Sequence, residues 1–309
     1  MEIIPTAPKR LIIIQGPTAS GKTSLAIELA QKLHTEIISG DSRQFFKEIS
    51  IGTAKPTDVE LSSIKHHLIN SHSIVEEVSA ANYSIEARKI LAELFKTKNE
   101  VILVGGSGMF IDAFTFGLDE IAISTEIKRQ LENRLATEGL EVLVSELEKL
   151  DPEYAQIVDK KNPLRIVRAL EVIQSSGKKY SQQRKGFKND LPCEIVRFSI
   201  QWKREELYER INQRVDLMFE AGLLDEVKSV VNFRNQKALN TVGYKELFDF
   251  LDGTITFEEA IEKIKQHSRN YAKRQETWLK RYSDLNLLNP LTSEPLINQV
   301  LKNLHSTKS

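Results

Sequence analysis

Residues 16–23 read Gly-Pro-Thr-Ala-Ser-Gly-Lys-Thr, which fits the phosphate-binding loop pattern G-x-x-x-x-G-K-S/T in full. A short apolar run at residues 11–14 precedes this loop, and apolar residues at helical spacing follow it. In such a loop the backbone N–H groups turn inward as an anion nest, and the following helix adds its positive dipole end. The sequence therefore predicts a strand–loop–helix unit that holds a phosphate group. The predicted ligands are Gly16, Pro17, Thr18, Ala19, Ser20, Gly21, Lys22 and Thr23.

Further short apolar runs at residues 36–39, 101–104 and 195–200 alternate with helical patterns. This alternation is typical of an α/β fold with a parallel sheet and right-handed crossovers. Between residues 121 and 187 the pattern changes to consecutive helices. We therefore predict a P-loop NTPase-like core from residues 1–120 and 188–309, whose parallel sheet is flanked by helices. Residues 121–187 are predicted to form a smaller, all-helical insertion domain.

Several helix ends carry recognisable signals. Asn162-Pro163 places a capping residue before a proline at the first helical position, and Gly177 closes the same helix. Thr256 and Glu259 form a capping box that opens a long basic helix. These signals predict helix boundaries more firmly than the apolar spacing alone.

The charge is balanced overall, with 43 basic and 43 acidic residues, so net charge does not indicate a nucleic-acid partner. Two tracts are nevertheless basic. Residues 178–188 hold five Lys or Arg and no acid, and residues 263–281 hold seven Lys or Arg against Glu276 alone. Such tracts commonly form a solvated surface. On a neutral protein they also fit local contact with a polyanion.

Cys193 is the single cysteine, which excludes an internal disulfide and a cysteine zinc site. No apolar run approaches the roughly 20 residues of a membrane span. We expect a cytoplasmic, monomeric protein that does not interact with membranes.

The identity of the phosphate compound depends on one missing acid. A P-loop ATPase normally carries an Asp at the end of an apolar strand, where it helps to hold magnesium. The best candidate strand, residues 101–104, ends in Gly-Gly instead. The acid that follows a strand near the loop is Asp41, at the head of the polar cluster Asp41-Ser42-Arg43-Gln44. This departure leaves open whether the ligand is a nucleotide or a diphosphate that is not a nucleotide.

Taken together, these segments resemble the tRNA dimethylallyltransferase (tRNA isopentenyltransferase) family. The matching segments run in family order over nearly the whole chain: residues 16–23, 41–44, 51–56, 66–69, 105–108, 165–172, 214–218, 242–246 and 272–279. The resemblance implies transfer of a dimethylallyl group from dimethylallyl diphosphate to N6 of the adenosine 3′-adjacent to the anticodon, with Mg²⁺. The sequence departs mildly from the family pattern at Phe46, Ser107, Asn70 and the pair Met109-Phe110.

By this resemblance, Thr23 binds the diphosphate and tentatively the Mg²⁺, while Arg214 clamps the diphosphate from the opposite side. A planar guanidinium suits that role because it matches phosphate oxygens bidentately. On spacing alone, a helix-surface salt bridge with Asp216 or a neighbouring Glu would be the favoured role of Arg214, and only the family match reverses this. Asp41 is the candidate base that takes a proton from the adenine amine; a helix cap or a metal ligand are its alternative roles. The predicted catalytic residues are thus Asp41, Thr23 and Arg214.

The same resemblance implies a base-flipped adenosine and contacts to the tRNA anticodon stem-loop. Arg165 and Arg168 share one helix face and suit phosphate contacts. Trp278 fits stacking on a base or burial in the core, and His66 and His67 are interpreted as structural. The predicted tRNA-binding residues are Asp41, Ser42, Arg43, Gln44, Ser107, Arg165, Arg168, Lys273, Arg274, Gln275 and Trp278.

Three other functions stay open. An adenylate isopentenyltransferase would act on a free nucleotide, but the basic tracts and the helical insertion argue against it. A P-loop small-molecule kinase or NTPase would need the missing acid. A nucleic-acid-binding module without catalysis would leave the phosphate loop unexplained.

Overall fold

The computed structural model of the chain describes residues 8–117, 124–183 and 191–306. The chain forms two compact units. The first unit comprises Met1–Thr115 and Leu191–Ser309, and the second comprises Phe116–Asp190. The domain boundaries predicted from the sequence, at 120/121 and 187/188, lie outside the described residues.

The first unit contains a six-stranded sheet in which every strand pair is parallel, and the α/β prediction is confirmed. The strands are β1 (Arg10–Gln15), β2 (Ile37–Ser39), β3 (His66–His67), β4 (Glu100–Gly105), β5 (Glu194–Ile200) and β6 (Leu285–Leu288). Their order across the sheet is β3-β2-β4-β1-β5-β6. The four predicted strands are β1, β2, β4 and β5; the short edge strands β3 and β6 were not predicted.

The helices cover both faces of this sheet and also build the second unit. They are α1 (Lys22–Lys32), α2 (Asp58–Ser63), α3 (Ala80–Leu94), α4 (Gly108–Phe116), α5 (Thr125–Glu138), α6 (Leu140–Leu150), α7 (Pro152–Ile157), α8 (Pro163–Ser176), α9 (Tyr180–Gln183), α10 (Arg204–Glu220), α11 (Leu223–Ser229), α12 (Tyr244–Leu251), α13 (Phe257–Leu279) and α14 (Leu296–Ser306). Short 3₁₀ turns lie at Val231–Phe233 and Lys237–Leu239. Within the described part of the chain, none of the helices combines the length and apolar character that a membrane span requires.

The apolar run of β1 is continuous because both faces of the strand are buried. Ile12 and Ile14 pack into one core cluster with α1, while Leu11 and Ile13 pack into another with α3. All four side chains are fully buried. This two-sided burial is the reason that the strand lacks the polar alternation of a half-exposed sheet.

The second unit has its own core among α5, α6, α7 and α8. The predicted ends of α8 are confirmed: Asn162 accepts a hydrogen bond from the Arg165 N–H at 3.3 Å, and Gly177 takes a left-handed conformation with φ of 68°. A fully buried carboxylate, Asp151, caps α7 and also accepts the N–H of Ser181 at 2.7 Å. One side chain therefore ties α7 to α9.

Candidate active site

The phosphate-binding loop connects β1 to α1, as the motif requires. Gly21 precedes the first residue of α1 with φ of 94°, a left-handed conformation that a glycine adopts without steric cost. Lys22 opens the helix, and its Nζ donates to the Pro17 carbonyl at 3.1 Å. The loop therefore has the tight curvature that brings its N–H groups and the start of α1 to one anion site.

Side chains from the later part of the chain fix this loop. Trp202 Nε1 donates to the Ser20 carbonyl at 2.9 Å, and Arg210 Nε donates to the Ala19 carbonyl at 2.9 Å. The Arg210 guanidinium also stacks over the Trp202 ring at 4.4 Å. Sequence reasoning missed both residues, because their partners lie nearly 200 positions away and no motif marks them.

A cavity of about 820 Å³ lies in the first unit, beside the phosphate-binding loop. Thr18, Lys22 and Thr23 line it on the loop side. It brings together half of the predicted site residues, namely Thr18, Lys22, Thr23, Asp41, Ser42, Arg43, Gln44, Arg214, Arg274 and Gln275. A smaller cavity of about 200 Å³ is lined by Ser107 and Trp278, and it shares Ser42, Arg274 and Gln275 with the larger one.

The floor of the larger cavity concentrates positive charge. Burial, together with the neighbouring charge of Arg214, lowers the pKa of Lys22 to about 8, although Asp41 acts in the opposite direction. Burial and the charge of Arg210 likewise lower the pKa of Arg214, which Asp41 partly offsets. Desolvated cations that repel each other are stabilised by a bound anion. The site therefore has the electrostatics of an anion-binding pocket.

Arg214 reaches the loop directly. Its Nη1 lies 3.2 Å from Thr18 Oγ1, and its Nη2 lies 3.5 Å from the Ala54 carbonyl. Asp216, the alternative partner from the sequence, pairs instead with Lys265 at 2.7 Å. The guanidinium therefore lies at the cavity wall between Thr18 and Ala54 and does not form the surface salt bridge with Asp216.

Asp41 follows β2, and β4 separates that strand from β1. Its Oδ1 accepts the Arg43 N–H at 3.0 Å, a local turn that orients the carboxylate. At the neighbouring end of β4, a Cβ added to Gly105 would lie 2.2 Å from the Gly40 carbonyl oxygen. Because this packing leaves no room for a side chain, β4 ends in glycine and the nearest acid is the one after β2.

Two other residues of the predicted polar cluster, Arg43 and Gln44, donate side-chain hydrogen bonds to backbone carbonyls of the protein. The Arg43 guanidinium donates to the carbonyls of Lys237, Ala238 and Asn240 at 3.0–3.3 Å. The Gln44 amide nitrogen donates to the carbonyls of Thr53 and Ala54 at 3.2 and 3.1 Å. These two side chains thus shape the cavity wall through backbone contacts.

Helix α13 presents one face to the site. Gln275 is buried and bridges two segments: its Oε1 accepts the Thr18 N–H at 2.8 Å, and its Nε2 donates to the Gly106 carbonyl at 2.9 Å. Trp278 packs against Gly108, where an added Cβ would lie 2.3 Å from the indole ring, and its Nε1 donates to the Tyr282 hydroxyl at 3.3 Å. Gln275 therefore joins α13 to the loops after β1 and β4, and Trp278 joins it to the start of α4.

Sequence reasoning missed Tyr271, which lines both cavities. Burial, followed by the charge of Asp41, raises the pKa of Tyr271 to about 12, so the phenol is protonated at neutral pH. Ser107, one of the predicted residues, accepts the Ser42 N–H at 2.9 Å. Tyr271 could have been predicted from its helical spacing. Residues 271, 274, 275 and 278 stand at i, i+3, i+4 and i+7, so they share one face of the helix with the predicted residues Arg274, Gln275 and Trp278.

Other predicted residues do not line the larger cavity. Lys273 is exposed and lies 5.8 Å from the Tyr208 ring. Arg165 is exposed on α8 in the second unit, and Arg168 pairs with the buried Glu171 at 2.9 Å. Of the predicted basic tract at 178–188, Arg184, Lys185 and Lys188 lie outside the described residues.

The two histidines of β3 have protein partners. His66 Nδ1 lies 2.8 Å from the Ile64 carbonyl, and His67 Nε2 lies 2.7 Å from Glu36 Oε2. Of these, only His66 lines the cavity. Its burial lowers its pKa, which favours a neutral ring.

The described residues contain no group of three His, Cys, Asp or Glu side chains that could hold a metal by itself. Thr18, Thr23 and Asp41 are oxygen donors in or near the loop that line the cavity. Mg²⁺ commonly takes only one or two protein ligands together with substrate phosphate oxygens and water. The residues therefore fit a cation that binds together with a diphosphate.

Comparison with known proteins gives one consistent family. The IPP transferase family model matches residues 44–282. A protein of Bacteroides thetaiotaomicron named tRNA dimethylallyltransferase 1 is 46% identical over 281 residues, which cover 91% of either chain. The crystal structure of the tRNA isopentenylpyrophosphate transferase of Bacillus halodurans is similar with a TM-score of 0.70 at 35% identity, covering 97% of this chain and 96% of that one. A eukaryotic dimethylallyltransferase described as acting on tRNA has a TM-score of 0.81 at 28% identity, covering 97% of this chain and 80% of its own.

Proposed function

The chain belongs to the IPP transferase family, and we propose that it transfers a dimethylallyl group from dimethylallyl diphosphate to N6 of the adenosine 3′-adjacent to the anticodon in tRNA. The observation that carries this proposal is the single cavity that joins the phosphate-binding loop to Asp41. The cationic floor receives the diphosphate, and the carboxylate lies on the side of the acceptor.

In the reaction, the bond between the allyl carbon and the diphosphate oxygen breaks while the N6–carbon bond forms. The diphosphate leaves with additional negative charge. Lys22, Arg214 and the loop N–H groups stabilise this charge, and each such preorganised donor is worth roughly 3 kcal/mol. Mg²⁺, bound through Thr23 and the diphosphate oxygens, would supply further charge neutralisation.

An adenine amine is a weak nucleophile because its lone pair is delocalised into the ring. We assign Asp41 as the base that accepts the N6 proton as the new bond forms. General-base catalysis of this kind typically raises the reaction rate by about 10²–10⁴-fold. The Arg43 N–H holds one of its oxygens, so the carboxylate is oriented before substrate binds. The adenosine must leave its stack to reach the cavity.

We propose that the tRNA contacts involve the smaller cavity and the exposed basic residues. Arg274 is exposed and lines both cavities, and Trp278 offers its ring to the smaller one. Arg165 on the second unit is available for a phosphate. Arg43, Gln44 and Gln275 act mainly by shaping the cavity wall, since backbone groups already occupy their donors.

With tRNA as its substrate, the protein is proposed to act as a cytoplasmic monomer.

A P-loop kinase or NTPase is disfavoured by the packing of Gly105 on Gly40, which leaves no place for the magnesium-binding acid after β4. An adenylate isopentenyltransferase shares the chemistry, and the acceptor distinguishes the two. Purified protein is incubated with dimethylallyl diphosphate and Mg²⁺, and with either tRNA or AMP. Prenylated adenosine is expected in tRNA alone. Product from AMP alone, or phosphoryl transfer from ATP without prenylation, would refute the proposal.

A further inference from the structure

A carboxylate outside the cavity, Glu226 on α11, organises the loop that follows Ile49. We name residues 50–54 the 50–54 loop. Glu226 Oε2 accepts the N–H groups of Ser50 and Ile51 at 2.7 and 2.8 Å, and Oε1 accepts the Gly52 N–H at 2.9 Å. Three successive backbone donors therefore converge on one side chain. A carboxylate is the group that satisfies such a nest, because it only accepts hydrogen bonds.

Tyr244 completes this arrangement. Its hydroxyl donates to Glu226 Oε1 at 2.6 Å, and its ring is fully buried. The ring lies so close to Gly52 that an added Cβ would be 2.7 Å from it. Glu226 and Tyr244 thus fix the 50–54 loop in two ways. Glu226 accepts charge-assisted hydrogen bonds from its backbone, and the Tyr244 ring packs against Gly52.

The far end of the same loop holds two groups of the site. The Ala54 carbonyl accepts from Gln44 Nε2 at 3.1 Å and lies 3.5 Å from Arg214 Nη2. Ala54 has φ of 47°, a left-handed conformation that a residue with a Cβ adopts at a cost of roughly 1 kcal/mol. Such a conformation persists only where neighbouring contacts impose it. The Ala54 N–H donates to the Ile51 carbonyl at 2.9 Å, so the residues that Glu226 holds impose the left-handed conformation of Ala54.

We infer that Glu226 is a positioning residue for prenyl transfer: through the 50–54 loop it sets the orientation of Arg214 and Gln44 at the diphosphate end of the cavity. This inference rests on the proposed function. Glu226 does not line the cavity, so it acts through the loop and not on the substrate. A displacement of reacting groups by about 1 Å can cost roughly 10²-fold in rate.

Glu226→Gln is the sharpest test. Each carboxylate oxygen accepts two donors, so an amide nitrogen at either place meets two donors whichever way the side chain turns. We expect kcat/KM for dimethylallyl diphosphate to fall by about 10²-fold. The Kd for tRNA should stay within about twofold, because the loop does not carry the exposed basic residues. The matched control is Asp225→Asn, a neighbour on the same helix turn that is 84% exposed and pairs with Lys228 alone among the described residues.

Two further variants separate positioning from general stability. Tyr244→Phe keeps the ring on Gly52 and removes one hydrogen bond, so a smaller loss, about three- to tenfold, is expected even if Glu226→Gln folds poorly. In a double-mutant cycle, Glu226→Gln should cost at least about fivefold less in an Arg214→Gln background than in the wild type. Additive losses, an equal loss in Asp225→Asn, or unchanged kcat/KM in Glu226→Gln would overturn the inference. A wild-type protein that fails to prenylate tRNA would instead refute the proposed function.

Discussion

The lowered pKa of Lys22 predicts a pH dependence that can be worked out in advance. The ammonium must be protonated to bind a diphosphate, and in the free protein its pKa is about 8. Because this pKa lies below the usual value, the protonated fraction falls within an accessible range: it is about 0.9 at pH 7 and about 0.09 at pH 9. The kcat/KM for dimethylallyl diphosphate should therefore fall about tenfold over those two pH units, equivalent to about 1.4 kcal/mol.

The pH dependence is assigned to Lys22 only if no other group near the site titrates between pH 7 and 9, and this determines the control variants. Burial also lowers the pKa of Lys55 to about 8, although Glu226 and Glu48 act against this shift. Phosphate has its second pKa near 6, below the window, and burial places Tyr271 at about 12, above it. Lys22→Arg keeps a positive charge throughout, so its activity, although lower, should be flat from pH 7 to 9. Lys55→Arg should retain the wild-type decline.

The assay is initial-rate prenylation at saturating tRNA, with the diphosphate concentration varied at each pH. A flat wild-type profile would contradict the reasoning. So would a decline that survives in Lys22→Arg and disappears in Lys55→Arg, since Lys55 would then be the titrating group.

Asp41→Asn should lower single-turnover prenylation by roughly 10²–10⁴-fold with tRNA affinity kept, because an amide cannot take the N6 proton; weakened binding with normal turnover would refute the base assignment. Gln275→Ala removes the bridge from Thr18 to Gly106, so KM for dimethylallyl diphosphate should rise roughly three- to tenfold in steady-state assays. Loss of tRNA affinity alone would instead favour a direct tRNA contact by Gln275. Lys178→Ala with Lys179→Ala should reduce the slope of log Kd for tRNA against log salt by roughly 1.4 to 1.8, and an unchanged slope would remove these lysines from the interface.

The sequence predicts those parts of the fold that depend on local chemistry. The strand–loop–helix unit around residues 16–23, the four apolar strands and the capping signals at Asn162 and Thr256 are all confirmed. The buried strands are recognisable because both of their faces are covered, as in β1. By contrast, β3 has two residues and β6 has four, and both lie at sheet edges. Their pairing is decided by their neighbours in the sheet, so no periodicity marks them.

The site divides in the same way. The anion-binding residues share one contiguous motif, whereas the groups that hold the motif in shape do not. Trp202, Arg210 and Gln275 contact the loop across 182, 191 and 257 positions. Each makes an ordinary hydrogen bond to the backbone, which any polar residue type could provide. Without the folded structure, nothing in the local sequence predicts that these three side chains hold the phosphate-binding loop.

The position of the acid explains how a nucleotide-type loop can serve a different reaction. In a phosphoryl-transfer enzyme, an acid after the neighbouring strand holds the metal beside the phosphates. Here the end of β4 packs directly on Gly40, and a Cβ at Gly105 would overlap the backbone at 2.2 Å. The acid lies one strand further from the loop, at Asp41, where its charge still acts on Lys22 and Arg214. A carboxylate at that strand end would leave space between itself and a diphosphate bound at the loop. That space is what a reaction needs when the nucleophile attacks the carbon of the departing group and not the phosphorus.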